Sequence, residues 1–286
     1  HVMSGGKLIL FVDPLAEMVV PDPSGMSVPS GNSSELNRLT APWGVSLRDG
    51  EVLGDSGVAL MVGGADGAPV RHLGILGFTS QYFSGDDIVT ADLEALNFST
   101  AGILDVDDVD GIDAKTLISS SSGAGPLDAI QFQFLNDPAD LQQGFQPTGE
   151  NYSVAVRLSG KSPSSFPEKS GEETHIAETD QMNVVIVADT DVLSDRLWVQ
   201  VQNFFGQQVA SAFADNGNFA ANLVENLSGS SALIEVRSRG QFSRPFVVVE
   251  ELRRLAEAKY LTNAEDLQAR LAETDRQLSE LESARV

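Results

Sequence analysis

Cysteine is absent from this chain of 286 residues, and histidine occurs at only 3 positions. Without cysteine there is no disulfide, no thiol nucleophile, no iron–sulfur cluster and no cysteine-ligated zinc site. His1, His72 and His175 have no metal-ligand spacing to one another, and neither HExxH nor the serine-hydrolase pattern GxSxG occurs. We therefore predict no metal, no cofactor and no assembled catalytic set, and the lack of cysteine fits an oxidising compartment.

Basic residues are scarce, since 18 Lys and Arg stand against 41 Asp and Glu, for a net charge of −23. Nucleic acids and anionic lipid surfaces are bound through basic patches, so this balance argues against both. No apolar run approaches the roughly 18 residues that a membrane-spanning helix needs. The sequence predicts a globular, acidic chain that binds no nucleic acid.

Two nearly continuous apolar runs are the clearest structural signals. Lys7–Val12 ends at Asp13, and Met182–Ala188 ends at Asp189. Uninterrupted apolar runs of this length are typical of strands that are buried on both faces of a parallel sheet. With 42% hydrophobic residues, the length suits one large α/β domain or two ordinary ones.

The remaining pattern predicts several further elements. We expect strands at 58–62, 73–76, 116–118, 130–135, 152–158 and 233–236, and helices at about 92–97, 197–205 and 218–227. The Pro-, Gly- and Ser-rich stretch 21–34 indicates a loop, and 159–180 indicates a long flexible excursion.

Both ends of the chain differ from this middle part. Residues 1–6 are interpreted as a tag remnant and linker ahead of an α/β domain at 7–248. Residues 249–286 are predicted to form a charged amphipathic helix, because Leu267, Leu271, Leu278 and Leu281 follow a spacing of a/d type. The helix either packs on its own domain or leads towards a membrane segment.

Asp189 and Asp191 raise the question of catalysis, because α/β sheets place their sites at the carboxyl ends of strands. A hydrophobic strand followed by DxD resembles the nucleophile motif of phosphatases of the haloacid dehalogenase type. Leu193, however, stands where that motif has Thr or Val, and no suitably spaced Lys and acidic pair follows. The alternative interpretation is that Asp191 and Ser194 begin a helix and cap its free N–H groups. Asp13, Asp189 and Asp191 are the candidate ligand- or partner-binding residues.

The acidic run Asp105–Asp113 is compared with a calcium-binding loop. With Gly111 at the sixth position, the first ligand position falls on Val106 and the twelfth on Leu117. The frame fails at two ligands, so a solvated acidic turn is predicted.

A set of short segments, taken together, resembles the GldG family, which comprises auxiliary components of an ABC-type transport system linked to bacterial gliding motility. The segments that carry the resemblance are Gly5–Pro14, Trp43–Val45, Gly54–Asp55, Asp87–Thr90, Leu96–Phe98, Asn183–Asp191, Trp198–Gln200, Phe204–Gly206, Asn216–Phe219, Asn226–Ser230, Arg237–Gly240 and Phe242–Phe246. The resemblance covers nearly the whole chain.

The resemblance implies a Rossmann-like α/β fold, related to class I glutaminases and flavodoxin-like sheets, with a parallel-rich sheet and flanking helices. The glutaminase relatives use a cysteine nucleophile, so that activity does not carry over to this chain. The family members usually have strands before the Gly5-Gly6 pair. A sheet that begins at Lys7 would leave an edge uncovered, and we therefore expect a homodimer or larger assembly.

The function that the resemblance implies is non-enzymatic. We expect a periplasmic domain, anchored in the bacterial inner membrane through segments outside this sequence, whose partners are the ABC permease and ATPase subunits. One alternative is a glycan-binding module that uses Trp43 and Trp198 beside Asn- and Asp-rich loops. A second alternative is a phosphohydrolase that uses Asp189 and Asp191.

Overall fold

The structure is a computed structural model that describes residues 1–18, 33–204 and 207–229. The chain divides into two units, His1–Ile234 and Glu235–Val286, and the description concerns the first. The predicted strand 233–236 and the predicted helix 249–286 lie outside the described residues, as does most of the predicted loop 21–34.

A seven-stranded sheet forms the centre of the described unit, in the order β1-β10-β9-β6-β2-β8, with β7 also paired to β9. Its strands are β1 (Leu8–Phe11), β2 (Val45–Asp55), β6 (Gly102–Val106), β7 (Ile112–Ser119), β8 (Ala124–Asp128), β9 (Ser153–Pro163) and β10 (Glu178–Val187). The two strands predicted from continuous apolar runs are β1 and β10, which are neighbours, and β1 lies at the edge.

A second sheet has the order β3-β4-β5, and a separate hairpin consists of β11 and β12. Their bounds are β3 (Ala59–Gly63), β4 (Pro69–Thr79), β5 (Ala95–Ser99), β11 (Val199–Phe204) and β12 (Gln207–Ala212). The α-helices of the described residues are α1 (Asn37–Thr40), α2 (Ala129–Gln133) and α3 (Asn216–Ser228), so helices are few in this mixed α/β unit.

The expectation of a parallel-rich sheet is wrong for the described residues. Only β1 and β10 run parallel, with Phe11 opposite Val187, and the other strand pairs are antiparallel. The cause lies in the connections, because β9 to β10 returns through a loop rather than through the crossover helix that a parallel neighbour requires.

Alternate residues of β10 enter two different clusters of the core. Val184 and Ile186 belong to one cluster, and Val185 and Val187 belong to the other. Side chains alternate between the two faces of a strand, so both faces of the sheet are buried here. This arrangement explains the uninterrupted apolar run, although the neighbouring strand β9 is antiparallel.

α3 covers one face of the sheet. Its residues Phe219, Leu223 and Leu227 are buried in the same cluster as Val185 and Val187. The prediction of an amphipathic helix at 218–227 is confirmed.

Three predicted elements are of the wrong type. Residues 130–135 alternate apolar and polar like a strand, but the Asp128 carboxylate accepts from the backbone N–H of Ile130 at 2.9 Å and caps α2 instead. Residues 92–97 enter strand β5, and residues 197–205 enter strand β11, because each finds an antiparallel partner strand.

The flexible excursion predicted at 159–180 is shorter than expected. β9 continues to Pro163, which pairs with Glu178 of β10, so the two strands extend into the predicted loop. The connection that remains is 164–177, which contains a 3₁₀ turn at Pro167–Lys169.

None of the helices among the described residues is long and apolar enough to cross a membrane. At the N-terminus, Val2–Ser4 forms a 3₁₀ turn in which Val2 is buried, although residues 1–6 were interpreted as a linker.

Candidate functional site

Asp13, Asp189 and Asp191 come together at the carboxyl end of the parallel pair β1 and β10. Each of the three offers a carboxylate oxygen, and these oxygens lie within 4.8 Å of one another. Asp13 and Asp189 have no exposed surface, and Asp191 is 4% exposed. The three residues that the sequence singled out therefore form one buried group, which we call the carboxylate cluster.

Asp13 joins the two strand ends. One oxygen, Oδ1, accepts from the backbone N–H of Leu15 at 2.8 Å. The other, Oδ2, accepts from the backbone N–H of Thr190 at 3.0 Å and from its hydroxyl at 2.8 Å. The loop after β1 is thereby tied to the loop after β10.

Asp189 adds one further segment to this arrangement, the end of β5 at Ser99, and Asp191 binds the loop after β1 a second time. Asp189 accepts from the backbone N–H groups of Ser99 at 2.8 Å and of Asp191 at 2.6 Å. Asp191 accepts from those of Glu17 at 2.6 Å and of Met18 at 3.2 Å. All six carboxylate oxygens of the cluster therefore accept a hydrogen bond from a backbone N–H.

Burial controls the protonation of the cluster. Loss of solvation raises the pKa of Asp13 to about 6, although the hydrogen bonds from Thr190 and Leu15 act in the opposite direction. Complete burial and then the nearby charge of Asp13 raise the pKa of Asp189 well above its usual value. The cluster thus resists carrying three negative charges together.

Ionic and polar side chains border the cluster. The Ser99 hydroxyl donates to Oε2 of Glu17 at 2.8 Å, and Arg196 forms an ion pair with the same carboxylate. Arg196 Nη2 also donates to the Ser99 hydroxyl oxygen at 3.2 Å. Glu17 is therefore held on both sides, by its backbone through Asp191 and by its side chain through Arg196 and Ser99.

Ser99, Glu17 and Arg196 were not singled out by sequence reasoning. Ser99 ends β5 and is followed by Thr100, the one non-glycine residue among the described residues with a left-handed backbone, at φ 51°. The Thr100 hydroxyl donates to the carbonyl of Leu15 at 3.0 Å. No sequence pattern predicts this turn, and the nearest segment of the family resemblance, Leu96–Phe98, ends before Ser99.

The cluster offers carboxylate oxygens, which are the ligand atoms that hard divalent cations such as Mg²⁺ and Ca²⁺ prefer. The orientation of the oxygens fits such an ion less well, because each of them already receives a backbone N–H and two of the acids have raised pKa values. The geometry instead fits a clasp that joins three loop segments, those that follow β1, β5 and β10.

Asp191 and Ser194 were predicted to cap the N–H groups of a following helix, and this prediction is wrong. The segment that follows contains only a 3₁₀ turn at Asp195–Leu197, and Asp191 accepts from the loop at residues 17–18. The carboxylate therefore satisfies free N–H groups, as expected, but those of a distant loop.

The other candidate residues lie away from the cluster or inside the fold. His72 is buried rather than on the surface, and burial lowers its pKa. Trp43 is 2% exposed and its indole donates to the carbonyl of Pro163. Residues 107–111 form the turn between β6 and β7, in agreement with the predicted acidic turn.

Comparison with known proteins gives one finding about the family. The family described as "ABC-type uncharacterized transport system" matches residues 1–223, which include the carboxylate cluster and most of α3. No curated protein sequence matches this chain.

Proposed function

We propose, on the premise that this chain belongs to the family of the ABC-type uncharacterized transport system, that it is a non-enzymatic domain of an auxiliary subunit. Family membership makes the chain an auxiliary component of an ABC-type transport system. The proposal adds that the domain is extracytoplasmic, lies on the periplasmic face of the inner membrane, and belongs to the gliding-motility type. Its partners are then the permease and ATPase subunits.

The observation that carries the non-enzymatic part is the state of Asp189. Its side chain has no exposed surface, and each of its oxygens accepts a backbone N–H, from Ser99 and from Asp191. A nucleophilic carboxylate must reach a substrate atom, whereas this carboxylate is turned inward to hold two loops. The acids at the strand ends thus have a structural role that accounts for all of their oxygens.

Neither alternative function draws comparable support from the described residues. A glycan platform needs an aromatic face in solvent, whereas Trp43 is buried in the core and the half-buried Trp198 has its ring against Gly217. A phosphohydrolase needs an accessible acid, and Asp13 is as deeply buried as Asp189.

The resemblance to the GldG family supports the parts of the proposal that go beyond family membership, namely the periplasmic location and the gliding-motility type. Its segments Gly5–Pro14 and Asn183–Asp191 are the two that form β1 and β10 with their strand-end acids. We infer a Rossmann-like origin from this pair, since a parallel pair with acids at its carboxyl end is the part of such folds that builds sites.

Co-purification tests the assignment of partners. The natural full-length protein is expressed in its native membrane, extracted in mild detergent and recovered through an affinity tag. We expect the permease and the ATPase in stoichiometric amounts, and an unrelated tagged membrane protein of the same host serves as the control. Recovery of the tagged protein alone would refute the assignment.

A separate assay tests the absence of catalysis. The chain is incubated with an aryl phosphate and Mg²⁺, beside an Asp189→Asn variant and an Asp110→Asn variant that removes an exposed carboxylate. We expect the same background rate from all three proteins. Mg²⁺-dependent turnover that only Asp189→Asn abolishes would establish the phosphohydrolase instead.

A further inference from the structure

Residues 14–18, which we call the β1 loop, are bound by the carboxylate cluster at three backbone positions. The N–H groups of Leu15, Glu17 and Met18 donate to carboxylate oxygens at 2.8, 2.6 and 3.2 Å. Pro14 and Leu15 are buried, but Glu17 and Met18 are exposed. The outer part of the β1 loop is therefore held by polar contacts rather than by burial in the core.

The cluster brings together three acids, and no described Lys or Arg forms an ion pair with any of them. Arg196 pairs with Glu17 instead. The carboxylate oxygens of the three acids lie within 4.8 Å of one another and are buried, so their negative charges repel with little screening by water. Each proton that the cluster loses therefore weakens the closed arrangement.

The β1 loop is the segment that can move apart at the least cost. Ser99 lies in β5, where it pairs with Ile75 of β4, and Thr190 is closely followed by Val192, which is 1% exposed. Moving either of these segments would disturb the packed core. Moving the outer β1 loop uncovers little apolar surface and admits water to the carboxylates.

The turn at Thr100 favours the same movement. Its φ of 51° lies in a region that β-branched residues rarely adopt, and such strain persists only where surrounding contacts impose it. One of these contacts is the hydrogen bond from the Thr100 hydroxyl to the carbonyl of Leu15. Opening of the β1 loop would remove it.

We propose that the clasp is a pH-sensitive switch, in which the β1 loop is closed on the carboxylate cluster in acid and opens as the cluster ionises, while the sheets stay folded. Opening separates Glu17 from Arg196 and Ser99 and exposes the cluster to solvent. The end of the sheet at which β1 and β10 finish thus presents two different surfaces. The proposal does not rest on the transport function, so either can fail without the other.

The direction of the switch follows from linkage. Burial raises the pKa of Asp13 to about 6, and an open loop would return this carboxyl to water and to its ordinary pKa of 3.8. The closed state then binds a proton that the open state has released, so opening increases with pH. Between pH 5 and pH 8 this carboxyl alone should increase the ratio of open to closed loops about tenfold.

Other ionisable groups do not explain such a change. The segments around the cluster and the β1 loop carry Glu17, Glu35, His72, Asp128, Asp195, Arg196 and Asp215, and Asp105 of β6 is paired with Arg48. Of the first seven only His72 is buried. Burial lowers the pKa of His72, so its protonation would loosen the fold as the pH falls, which is the opposite direction.

Hydrogen exchange of the full chain, read by mass spectrometry, tests the switch. Labelling times at pH 5 and pH 8 are scaled so that intrinsic exchange is equal. We expect peptides that contain residues 14–18 to be about tenfold less protected at pH 8, and peptides of β9 to be unchanged. Equal protection of the β1 loop at both pH values, or a loss that β9 shares, would overturn the proposal.

Three variants identify the group that titrates. Asp13→Asn should reduce the ratio between the two pH values, whereas Asp110→Asn, at an exposed position, should keep it. Glu17→Gln removes the ion pair with Arg196 and should loosen the β1 loop at both pH values without changing the ratio. A ratio that Asp13→Asn leaves intact would contradict the proposal.

A spin label gives a second readout that leaves the cluster unaltered. The chain has no cysteine, so Met18→Cys places a single label on the exposed end of the β1 loop, and Ala221→Cys places one on the exposed face of α3. The label at position 18 should become more mobile from pH 5 to pH 8, and the label at position 221 should not. Equal mobility of the first label at both pH values would refute the switch.

Discussion

Asp13 and Asp189 occupy equivalent positions on two adjacent parallel strands, each two residues beyond the pair formed by Phe11 and Val187. Parallel strands that end in register bring whatever follows them to the same edge of the sheet. The buried carboxylate cluster is therefore a direct consequence of the one parallel pair among the described strands. Its position is that of a catalytic site, but its hydrogen bonds are those of a clasp.

The raised pKa of Asp13 makes stability depend on pH. The folded carboxyl has a pKa of about 6 against an ordinary value of 3.8, so between these values the folded chain binds a proton that the unfolded chain has released. Its contribution to stability is full below pH 3.8, decreases as the pH rises, and is lost above pH 6. The slope approaches about 1.4 kcal/mol per pH unit for each proton. The raised pKa of Asp189 contributes a loss of stability with rising pH of the same sign.

Urea denaturation at a series of pH values measures this slope. Repulsion among the many acids of the chain also lowers stability as the pH rises, so the comparison needs variants. Asp13→Asn should flatten the profile between pH 4 and 6, whereas Asp110→Asn, at an exposed position, should keep it. Equal slopes for Asp13→Asn and the parent chain would mean that Asp13 does not take up this proton.

The acids at the strand ends, Asp13 and Asp189, could be predicted from the sequence, but the segments that the cluster binds could not. Continuous apolar runs that stop at Asp13 and Asp189 are local signals, which a sequence displays directly. The segments that the acids bind are not local, since Ser99 lies 90 positions before Asp189, and Glu17 lies 174 before Asp191. Such pairings depend on the order of strands in the sheet, which single-sequence periodicity does not contain.

The elements of the wrong type have a similar cause. Residues 129–133 form a helix because Asp128 caps it, although the apolar residues alternate as in a strand. Residues 199–204 form a strand because 207–212 lie opposite, although no turn signal of the Asn-Gly type was present. In both places the local sequence has similar preferences for helix and strand. A contact that the hydrophobic pattern does not show decides between them.

Arg157 and Asp87 form a buried ion pair whose disruption should be costly. Arg157 Nε and Nη2 donate to the two oxygens of Asp87 at 2.8 and 3.0 Å, and the side chains are 13% and 8% exposed. Arg157→Met leaves the Asp87 charge buried without its partner, which should cost about 3–5 kcal/mol of unfolding free energy in urea denaturation.

An exposed pair provides the control for this experiment. Arg38 and Glu168 lie 2.7 Å apart with side chains that are 77% and 52% exposed. Arg38→Met should therefore cost less than about 1 kcal/mol. Adding Asp87→Asn to Arg157→Met should recover part of the stability, because it removes the unpaired charge. Similar costs for Arg157→Met and Arg38→Met would show that burial does not govern the interaction.

Asn216 connects the first turn of α3 to two other segments. Loss of its side-chain amide should therefore lower the unfolding free energy. Its Nδ2 donates to the carbonyls of Asn97 at 2.6 Å and Val192 at 2.7 Å, and its Oδ1 accepts from the N–H of Asn97 at 3.1 Å. Asn216→Ala leaves three buried backbone groups without this partner. At about 1–3 kcal/mol for each such group, the cost should reach at least about 3 kcal/mol.

Asn218, two residues further along α3, provides the comparison. It is exposed and donates to Asp215 at 2.9 Å. Asn218→Ala should change the unfolding free energy by less than about 0.5 kcal/mol. Asn216→Asp should be as harmful as Asn216→Ala, because a carboxylate oxygen would face two carbonyls. A mild effect of Asn216→Asp would contradict the network described here.

Gly217 lies against Trp198, the residue that precedes β11, and replacing Gly217 has two opposing effects on stability. A Cβ at Gly217 would come within 2.7 Å of Cη2 and Cζ3 of the Trp198 ring. Replacing glycine by alanine inside a helix gains up to about 1 kcal/mol, whereas overpacking costs about 1–3 kcal/mol. We expect Gly217→Ala to lower the unfolding free energy and to shift the tryptophan fluorescence. In a Trp198→Leu background the ring is gone, so the same substitution should be neutral or stabilising. A double-mutant cycle measures the difference, and a coupling energy near zero would show that the two residues do not touch.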